Sequence, residues 1–472
     1  MTELESKRAL SLDALRGFAI LTMVLSGIIP FGVLPSWMYH AQIPPPEHIF
    51  NPNLPGITWV DLVFPFFLFA LGAAIPLALN KRFEKGSTNL QVIRYIFERT
   101  LLLGFFALIH RALNPHTLNS NPNAHTWFTA LLAFIAMFFI FLRTPANWSR
   151  GLSYGIKISG WLAVIIMLLT LRYPDGSGFS LYRSNIILIV LTNTYFFGSL
   201  IYLATRNNWY LRLGILGVLI ALRLANPLAG WVQTVWNWTP IPWMYKLYYC
   251  QYLFIVIPGT IIGDLFLKWQ KMPTENSLLD RPYFYSRMVS LTFFMLLFIP
   301  IMLVGLKMRL VTATVLLSLV ILAICAAILA KPATEIEKFL RTLFYWGGYW
   351  LILGLIFEPY EGGIKKDPPT LSYYFVTTGL AIFLVIAFTI IIDIYKKQNW
   401  LQLLINNGQN PMIAYTAMAN FIMPILSLTT LHNLFVKITP TPWLGALRGL
   451  IYTIILALFV SYCTKRRWFW RT

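Results

Sequence analysis

Two pairs of ionisable residues lie near the starts of long apolar stretches, and their types and spacing could support chemistry. Asp13 and Arg16 stand three residues apart at the start of the first stretch, so on a helix they share one face and can pair. His40 lies in the loop that follows, and Asp61 lies a few residues into the second stretch. A histidine titrates at about pH 6.5 and can take a proton from an amine or a hydroxyl. With the Asp61 carboxylate on its other ring nitrogen, His40 is predicted to act as a general base.

Each pair also has a simpler interpretation. Asp13 and Arg16 could only stabilise a helix end, while His40 could be a solvated loop histidine and Asp61 a helix cap. His48, in the same loop, could replace His40 as the base. A charged side chain near the centre of a membrane helix costs about 2.5 to 3.5 kcal/mol, so those that are present are functional candidates by default.

Further candidate binding residues lie in the second half of the chain. Glu358 ends an apolar stretch, and Lys365 and Lys366 follow a pair of glycines on the side of the membrane where positive charge is disfavoured. The two lysines indicate either an anionic ligand or an exception to that rule. Asn410, in the sequence GQNP, is predicted to cap the next helix with its side chain turned inward. Four other residues are better explained as interfacial: Glu98, Arg99, His110 and Arg111.

Several well-defined motifs are missing from the sequence. It has no Walker loop, no dinucleotide-binding glycine motif, no HExxH and no GxSxG. Its three cysteines, Cys250, Cys325 and Cys463, form no CxxC and no zinc-binding spacing. ATP-driven transport, metalloprotease and serine hydrolase functions therefore lose support, and no metal site is predicted.

The composition shows which elements must position these residues. Of the 472 residues 58% are hydrophobic and only 11% are charged, whereas an ordinary globular chain is roughly 25% charged. These values exclude a disordered chain, a coiled coil and a disulfide-rich secreted domain. We predict an all-α, polytopic membrane helix bundle that forms a single domain over residues 1–472.

A membrane-spanning helix needs about 20 mostly apolar residues. Fourteen stretches are candidates, and because the turn at Lys307 is tight we allow eleven to fourteen spans. The candidates are 12–34, 57–79, 95–113, 125–142, 154–171, 185–204, 210–226, 248–268, 288–306, 310–330, 339–358, 373–394, 410–427 and 445–463. The first stretch lacks a cleavage site and is expected to remain as a span.

The distribution of positive charge predicts the orientation. Roughly two-thirds of the 37 lysine and arginine residues, including Lys7 and Arg8, lie in the terminal segments and the alternate loops between them. Both termini are therefore predicted to be cytoplasmic. The net charge of +20 is then explained by topology and by attraction to anionic lipid, and no nucleic-acid partner is predicted. The loop 35–56, rich in proline and free of lysine and arginine, is predicted to be an ordered outer loop.

Several segments carry a resemblance to a known family. They are RALSLDALRGFAILTMVL (Arg8–Leu25), His40-Ala41, GITWVDLVFPFFLFALGAAIPLAL (Gly56–Leu79), GGIKKDPPTLSYYFVTTGLA (Gly362–Ala381) and GQNPMIAY (Gly408–Tyr415). In this order they resemble the heparan-alpha-glucosaminide N-acetyltransferase family and its bacterial relatives. The resemblance covers most of the chain and is most specific in its first hundred or so residues.

The resemblance implies transfer of an acetyl group from cytoplasmic acetyl-CoA to the amine of a terminal glucosamine across the membrane. The catalytic histidine of the family corresponds to His40, and the aspartate of its DLVFP element corresponds to Asp61. Ser26 occupies the position of a family asparagine and could donate one hydrogen bond. We therefore expect His40 to activate the acceptor amine, Asp61 to orient it, and Ser26 to assist. A direct transfer and an acetyl-histidine intermediate both remain open.

The remaining assignments complete this expectation. Acetyl-CoA is expected as the co-substrate near Asp13, Arg16 and Asn410. The acceptor, an amino sugar or a glycan, is expected near His48, Glu358, Lys365 and Lys366. The bacterial branch predicts the inner membrane as the location, with lipid as a partner and a homodimer as one open assembly.

Two other functions stay open. An amino-sugar or oligosaccharide transporter would have discontinuous helices around a site in the middle of the membrane. Four prolines inside candidate spans allow this: Pro65, Pro76, Pro258 and Pro300. The third alternative keeps the acyl transfer and changes the acceptor to a lipid-linked or cell-wall glycan.

Overall fold

The computed structural model describes residues 9–145, 147–271 and 282–472. It is 74% helical, and no strand forms within these residues. The prediction of an all-α polytopic bundle is confirmed.

The helices follow one another with short connections along most of the chain. The first half contains α1 (Leu10–Ile28), α2 (Trp59–Glu84), α3 (Asn89–Ala112), α4 (Pro115–Leu118), α5 (Ala124–Phe141), α6 (Arg150–Thr170), α7 (Ile186–Thr205), α8 (Trp209–Ala225), α9 (Trp231–Asn237) and α10 (Leu253–Gln270). The second half contains α11 (Pro282–Lys307), α12 (Val311–Ile328), α13 (Glu335–Phe357), α14 (Leu371–Phe388), α15 (Gln398–Gln409), α16 (Pro411–Ala417), α17 (Met423–Leu428), α18 (Leu431–Ile438) and α19 (Pro442–Lys465). Two π-helical turns, Thr389–Ile394 and Met418–Ile422, extend α14 and join α16 to α17.

Twelve helical stretches of the described chain are long and apolar enough to cross a membrane, within the predicted range of eleven to fourteen. The other two candidates, 95–113 and 210–226, also form helices, namely α3 and α8. Charged residues at four positions make α3 less apolar, and α8 has only 17 residues. The tight turn after Lys307 separates two helices, α11 and α12, as predicted.

Contacts between loops divide the bundle into two ends. At one end Lys271 pairs with Glu84 at 3.4 Å, and the backbone N–H of Arg143 donates to the carbonyl of Phe469. We call this the basic end, because its loops are those predicted to carry most of the lysine and arginine. At the other end, the His40 end, the N–H of Gly56 donates to the carbonyl of Ile364. The predicted alternation of loops is thus visible, and the assignment of the basic end to the cytoplasm stays a prediction.

Three of the cations that supported this orientation lie outside the described residues. They are Lys7, Arg8 and Arg281.

Close helix crossings at glycine hold the elements that carry the candidate site. On α2, a Cβ atom added at Gly72 would lie 2.3 Å from the carbonyl oxygen of Val256 on α10. A Cβ atom added at Gly17 of α1 would lie 1.8 Å from the carbonyl oxygen of Leu404 on α15. Small residues allow helix backbones to approach this closely in a membrane. The crossings fix α1 and α2, on which Arg16 and Asp61 lie.

The four prolines predicted to allow discontinuous helices lie inside continuous ones. Pro65 and Pro76 lie within α2, Pro258 within α10 and Pro300 within α11. The helix is interrupted at Asn410, where α15 ends and α16 begins.

Candidate active site

The loop between α1 and α2 is ordered, as predicted, and it holds His40. The backbone N–H of Asn51 donates to the carbonyl of Gln42, and the buried side chain of Gln42 donates to the carbonyl of Leu54 at 2.8 Å. Gly56 connects the loop to Ile364. His40 is therefore positioned by a hydrogen-bonded loop that packs against a distant segment of the chain.

Asp61 uses its two carboxylate oxygens for different purposes. Its Oδ2 atom accepts the backbone N–H groups of Thr58 at 2.9 Å and Ala41 at 3.2 Å, and so closes a capping box at the start of α2. Its Oδ1 atom lies 3.3 Å from Nδ1 of His40. The side chain is fully buried. The sequence left two alternatives for Asp61, a helix cap or a partner of His40. In the structure Asp61 has both roles.

The ring of His40 has one engaged nitrogen and one open nitrogen. The backbone N–H of Gln42 donates to its Nδ1 atom at 3.1 Å and Oδ1 of Asp61 lies 3.3 Å from the same nitrogen, whereas its buried Nε2 atom has no hydrogen-bond partner in the described part of the chain. Nε2 can serve as the base only in the tautomer that carries the proton on Nδ1. That proton would point to Oδ1 of Asp61 and displace the bond from Gln42, which leaves the Nε2 lone pair available. Burial lowers the pKa of His40, the Lys366 ammonium lowers it further, and Asp61 opposes this shift.

Lys366 reaches this pair from a segment far along the chain. Its Nζ atom lies 3.6 Å from Oδ1 of Asp61. Two glycines with positive φ angles, Gly362 at 69° and Gly363 at 97°, allow the turn that carries it. A Cβ atom at Gly363 would lie 2.6 Å from the Cβ atom of Pro55 in the loop of His40. Lys366, predicted to bind an anionic ligand, thus has an acidic partner within the protein, Asp61. Lys365 lies beside it and is half-buried.

Glu358 and His48, both predicted to bind the acceptor, are used by the protein in other ways. Glu358 is buried and pairs with Arg309 at 2.5 Å. Nε2 of His48 lies 3.3 Å from the carbonyl oxygen of Gly32, and its ring packs edge-on against Tyr39. Both residues brace the loops around His40. No hydrogen bond or ion pair between described residues joins either of them to His40.

Ser26, predicted to assist His40, lies on α1. Its hydroxyl donates to the carbonyl of Met23 one turn earlier at 2.7 Å. Within the described ranges no hydrogen bond connects Ser26 to His40 or Asp61.

A cavity of about 740 Å³ extends from the basic end into the bundle. On α2 its wall residues run from Arg82 to Phe64, which at a rise of about 1.5 Å per residue is a length of about 27 Å. Asp61 lies one helical turn beyond Phe64. On α2 the cavity wall therefore ends three residues from Asp61, the partner of His40, although neither Asp61 nor His40 belongs to the wall.

The charged side chains of the cavity wall have one sign. Its cationic residues are Arg16, Arg82, Arg99, Arg143, Lys157 and Arg471, and no aspartate or glutamate belongs to the wall. Arg99 donates to the hydroxyl of Tyr95 at 3.2 Å and lies 5.0 Å from the ring of Tyr195. No carboxylate of the described chain pairs with Arg99. The arrangement suits an anionic ligand.

Asp13 and Arg16 form the predicted ion pair, with a distance of 3.4 Å. Arg16 also donates to the carbonyl of Gly408 at 3.1 Å, and it belongs to the cavity wall. Arg16 therefore braces two helices and also faces the cavity, and its position near a ligand stays a prediction.

Asn410, predicted to contact acetyl-CoA, uses both ends of its side-chain amide within the protein. Nδ2 donates to the carbonyl of Trp468 at 2.7 Å, and Oδ1 accepts the N–H of Trp470 at 3.2 Å. The side chain is fully buried. It fastens the segment after α19 beside the cavity, and its neighbours Gln409 and Pro411 form part of the wall.

The inner part of the cavity carries a polar cluster that the sequence does not predict. Nδ2 of Asn185 donates to the hydroxyl of Tyr415 at 3.0 Å and lies 3.3 Å from Nδ1 of His110. Tyr415 belongs to the wall. The sequence favours an interfacial position for His110, and no spacing links these three residues, although Tyr415 ends the segment GQNPMIAY.

The fold and this site define an integral membrane protein of helical bundle type, with a half-buried histidine and a buried aspartate paired near one end and a basic cavity open to the other. The family model described as a domain of unknown function (DUF5009) matches residues 8–266, which is more than half of the chain. The chain therefore belongs to the DUF5009 family. The matched region contains Arg16, His40 and Asp61, and it ends before Lys366 and Tyr415. No curated protein matches the chain.

Proposed function

We propose that this protein is an N-acetyltransferase that uses acetyl-CoA from the cytoplasm and acetylates the amine of a glucosamine-type sugar at the other face of a bacterial inner membrane. One observation carries the proposal. The same helix, α2, carries Asp61, the buried partner of the half-buried His40, near its start and lines a basic cavity along the rest of its length.

The cavity suits acetyl-CoA because charge is distributed in the same uneven way along both. Acetyl-CoA has its phosphates at one end and its uncharged thioester at the other. The cations Arg82, Arg143 and Lys157 lie in the cavity wall, whereas Phe64 and Ile187 form apolar wall farther along α2 and toward the start of α7. The phosphates would remain near the basic end, where water and cations stabilise them. The thioester would extend along the apolar wall toward Phe64.

The His40 pair would supply the base for the transfer. The amine nitrogen attacks the thioester carbonyl carbon, and Nε2 of His40 takes the proton that the amine loses. The carbon–sulfur bond breaks, and the coenzyme leaves as a thiolate that then takes up a proton. Oδ1 of Asp61 stabilises the imidazolium that forms. Because His40 does not belong to the cavity wall, the side chain of Phe64 has to move aside for an acceptor amine at His40 to reach the thioester carbonyl in the cavity.

The direct test uses purified protein in detergent with acetyl-CoA and a panel of amino sugars. We expect release of free thiol only when both substrates are present, together with an N-acetylated sugar detected by mass spectrometry. Absence of thiol release with every amino sugar and with glycan acceptors would contradict the proposal.

A transporter is the second candidate, and one observation favours it. The break at Asn410 between α15 and α16 borders the cavity, as in transporters whose helices are interrupted at the site. Protein in liposomes distinguishes the two functions. Uptake of labelled glucosamine without consumption of acetyl-CoA would support transport.

Replacement of Lys366 by glutamine is expected to change the pH dependence of transfer. Lys366 lowers the pKa of His40, so its removal raises that pKa. The base is active when it is unprotonated, and therefore the acid limb of kcat/KM moves to higher pH. The pH profiles of the parent, Lys366→Gln and Lys366→Arg are compared. The arginine variant keeps the charge and should follow the parent, and a glutamine profile with no shift would refute this role.

Replacement of Arg99 by glutamine is expected to raise the KM for acetyl-CoA by about tenfold, with a much smaller change in kcat. A hydrogen bond to a charged group contributes about 1.5 to 3 kcal/mol, and Arg99 has no carboxylate partner in the described chain that could take its place in the free protein. Steady-state kinetics at two salt concentrations measure this. Arg150→Gln, which removes an exposed cation outside the wall, serves as the control. Equal KM values for the two variants would contradict the assignment.

A further inference from the structure

The inner part of the cavity, away from the basic end, carries a hydroxyl group on a largely apolar wall. Along α7 the wall runs from Ser199 back to Ile187, near the start of the helix. Asn185, the residue that caps α7, donates to the hydroxyl of Tyr415. The neighbouring wall residues Ile187, Leu188 and Met412 are apolar. The Tyr415 hydroxyl therefore lies in the part of the cavity farthest along α7 from the basic end.

The orientation of the Asn185 amide is determined by its role as a helix cap. Its Oδ1 atom accepts the N–H of Leu188 at 3.2 Å, so the opposite face of the amide presents Nδ2. Nδ2 donates to the Tyr415 hydroxyl at 3.0 Å and lies 3.3 Å from Nδ1 of His110. The ring of His110 also packs against the ring of Tyr415, with centroids 4.8 Å apart.

These contacts determine where the Tyr415 proton can go. An amide nitrogen donates and does not accept, so the tyrosine oxygen is the acceptor in its bond with Asn185. The O–H proton of Tyr415 is then available for another acceptor. No acceptor for it is found among the described residues.

We propose that Tyr415 donates this proton in a hydrogen bond to the carbonyl oxygen of the thioester. This inference rests on the proposed acetyl transfer and adds a catalytic residue to it. When the amine nitrogen bonds to the carbonyl carbon, the carbonyl oxygen becomes an oxyanion, which Tyr415 stabilises. The carbon–oxygen double bond re-forms as the carbon–sulfur bond breaks and the coenzyme thiolate leaves. Asn185 acts as a positioning residue, because its donated proton keeps the tyrosine proton turned away from it.

Two substitutions test this role. Tyr415→Phe is expected to lower kcat by about 100-fold, the range measured when one oxyanion donor is removed, and to leave the KM for acetyl-CoA nearly unchanged. Asn185→Asp preserves the helix cap but replaces the amide donor with an acceptor, which captures the Tyr415 proton. It is therefore expected to lower kcat by a similar factor although the tyrosine remains. The control is Tyr452→Phe, because Tyr452 is also buried, also contacts a histidine and is not a wall residue.

The outcomes separate this inference from the proposed function. If the parent transfers acetyl groups and Tyr415→Phe has the kcat of Tyr452→Phe, the inference is wrong and the proposed function stands. If the parent transfers no acetyl group, both are wrong. Thermal unfolding checks the fold of each variant. If Tyr415→Phe proves unstable, the kcat of Asn185→Asp provides the test in its place. An infrared shift of the bound carbonyl, measured with ¹³C-labelled acetyl-CoA in the parent and lost in Tyr415→Phe, would support the hydrogen bond independently of the rate.

Discussion

Replacement of His40 by alanine is expected to reduce the kcat of acetyl transfer by about 1,000-fold, within the range that general base catalysis contributes. Nε2 of His40 is the open nitrogen of the pair, whereas Nδ1 lies beside Asp61. The substitution removes the base and leaves the loop bonds of Gln42 to Leu54 and of Gly56 to Ile364 in place. The free thiol released per unit time by equal amounts of folded protein measures this effect.

A matched histidine and a matched partner make this result specific. His125→Gln alters an exposed histidine at the start of α5 and is expected to keep the parental rate. Asp61→Asn can still accept the cap bonds through its amide oxygen, but it presents N–H to Nδ1 of His40. The ring then carries its own proton on Nε2, and so the rate should fall while the protein remains folded. Parental rates in both His40→Ala and Asp61→Asn would refute the proposed base.

The span pattern could be predicted from the sequence because it depends on properties that every residue contributes to locally. Apolar length located the twelve helical stretches that can cross a membrane. The lysine and arginine counts separated the loops into two sets, and the loop contacts described above join loops of the same set. The charges on α3 were harder to interpret. In the sequence Arg99 looks like an interfacial residue, but Tyr95 of the same helix and Tyr195 of α7 lie against it in the wall of a cavity.

The candidate site was only partly predictable, because its partners meet through tertiary contacts. The sequence suggested His40 and Asp61 together, and the loop does bring them within 3.3 Å. It gave no indication that Lys366 reaches Asp61, or that Arg309 neutralises Glu358. Asn410 was correctly expected to turn inward, but its side chain makes no cap bond to α16 and its amide binds the backbone of Trp468 and Trp470 instead.

The cavity illustrates the same limit. The asymmetry of charge along the cavity can be recognised only after the helices are assembled, since the cations of its wall come from widely separated segments. Asn185 could not be singled out because an asparagine before an apolar stretch is typical of an ordinary helix cap. It is one, and the cap itself turns its Nδ2 atom toward Tyr415.

Replacement of Gly408 by alanine is expected to destabilise the protein by about 3 kcal/mol or more, a large part of the stability of a typical protein. The added Cβ atom would lie 1.7 Å from the carbonyl oxygen of Asp13, and a backbone atom cannot move aside as a flexible side chain can. Helices α1 and α15 would have to separate, which would also disturb the bond from Arg16 to the carbonyl of Gly408. A fall in the thermal unfolding midpoint in detergent, with a raised KM for acetyl-CoA, is the expected measurement.

The crossing also predicts how two substitutions combine. Gly17→Ala places a Cβ atom 1.8 Å from the carbonyl oxygen of Leu404 in the same crossing, so each single variant forces the same separation. Once the helices have moved apart, the second methyl group meets little further resistance, and the effects of the double variant should be well below additive. Gly217→Ala is the control, because a Cβ atom there has no neighbour within 4 Å and alanine favours a helix. Additive losses for Gly17→Ala and Gly408→Ala would mean that the two glycines do not form one crossing.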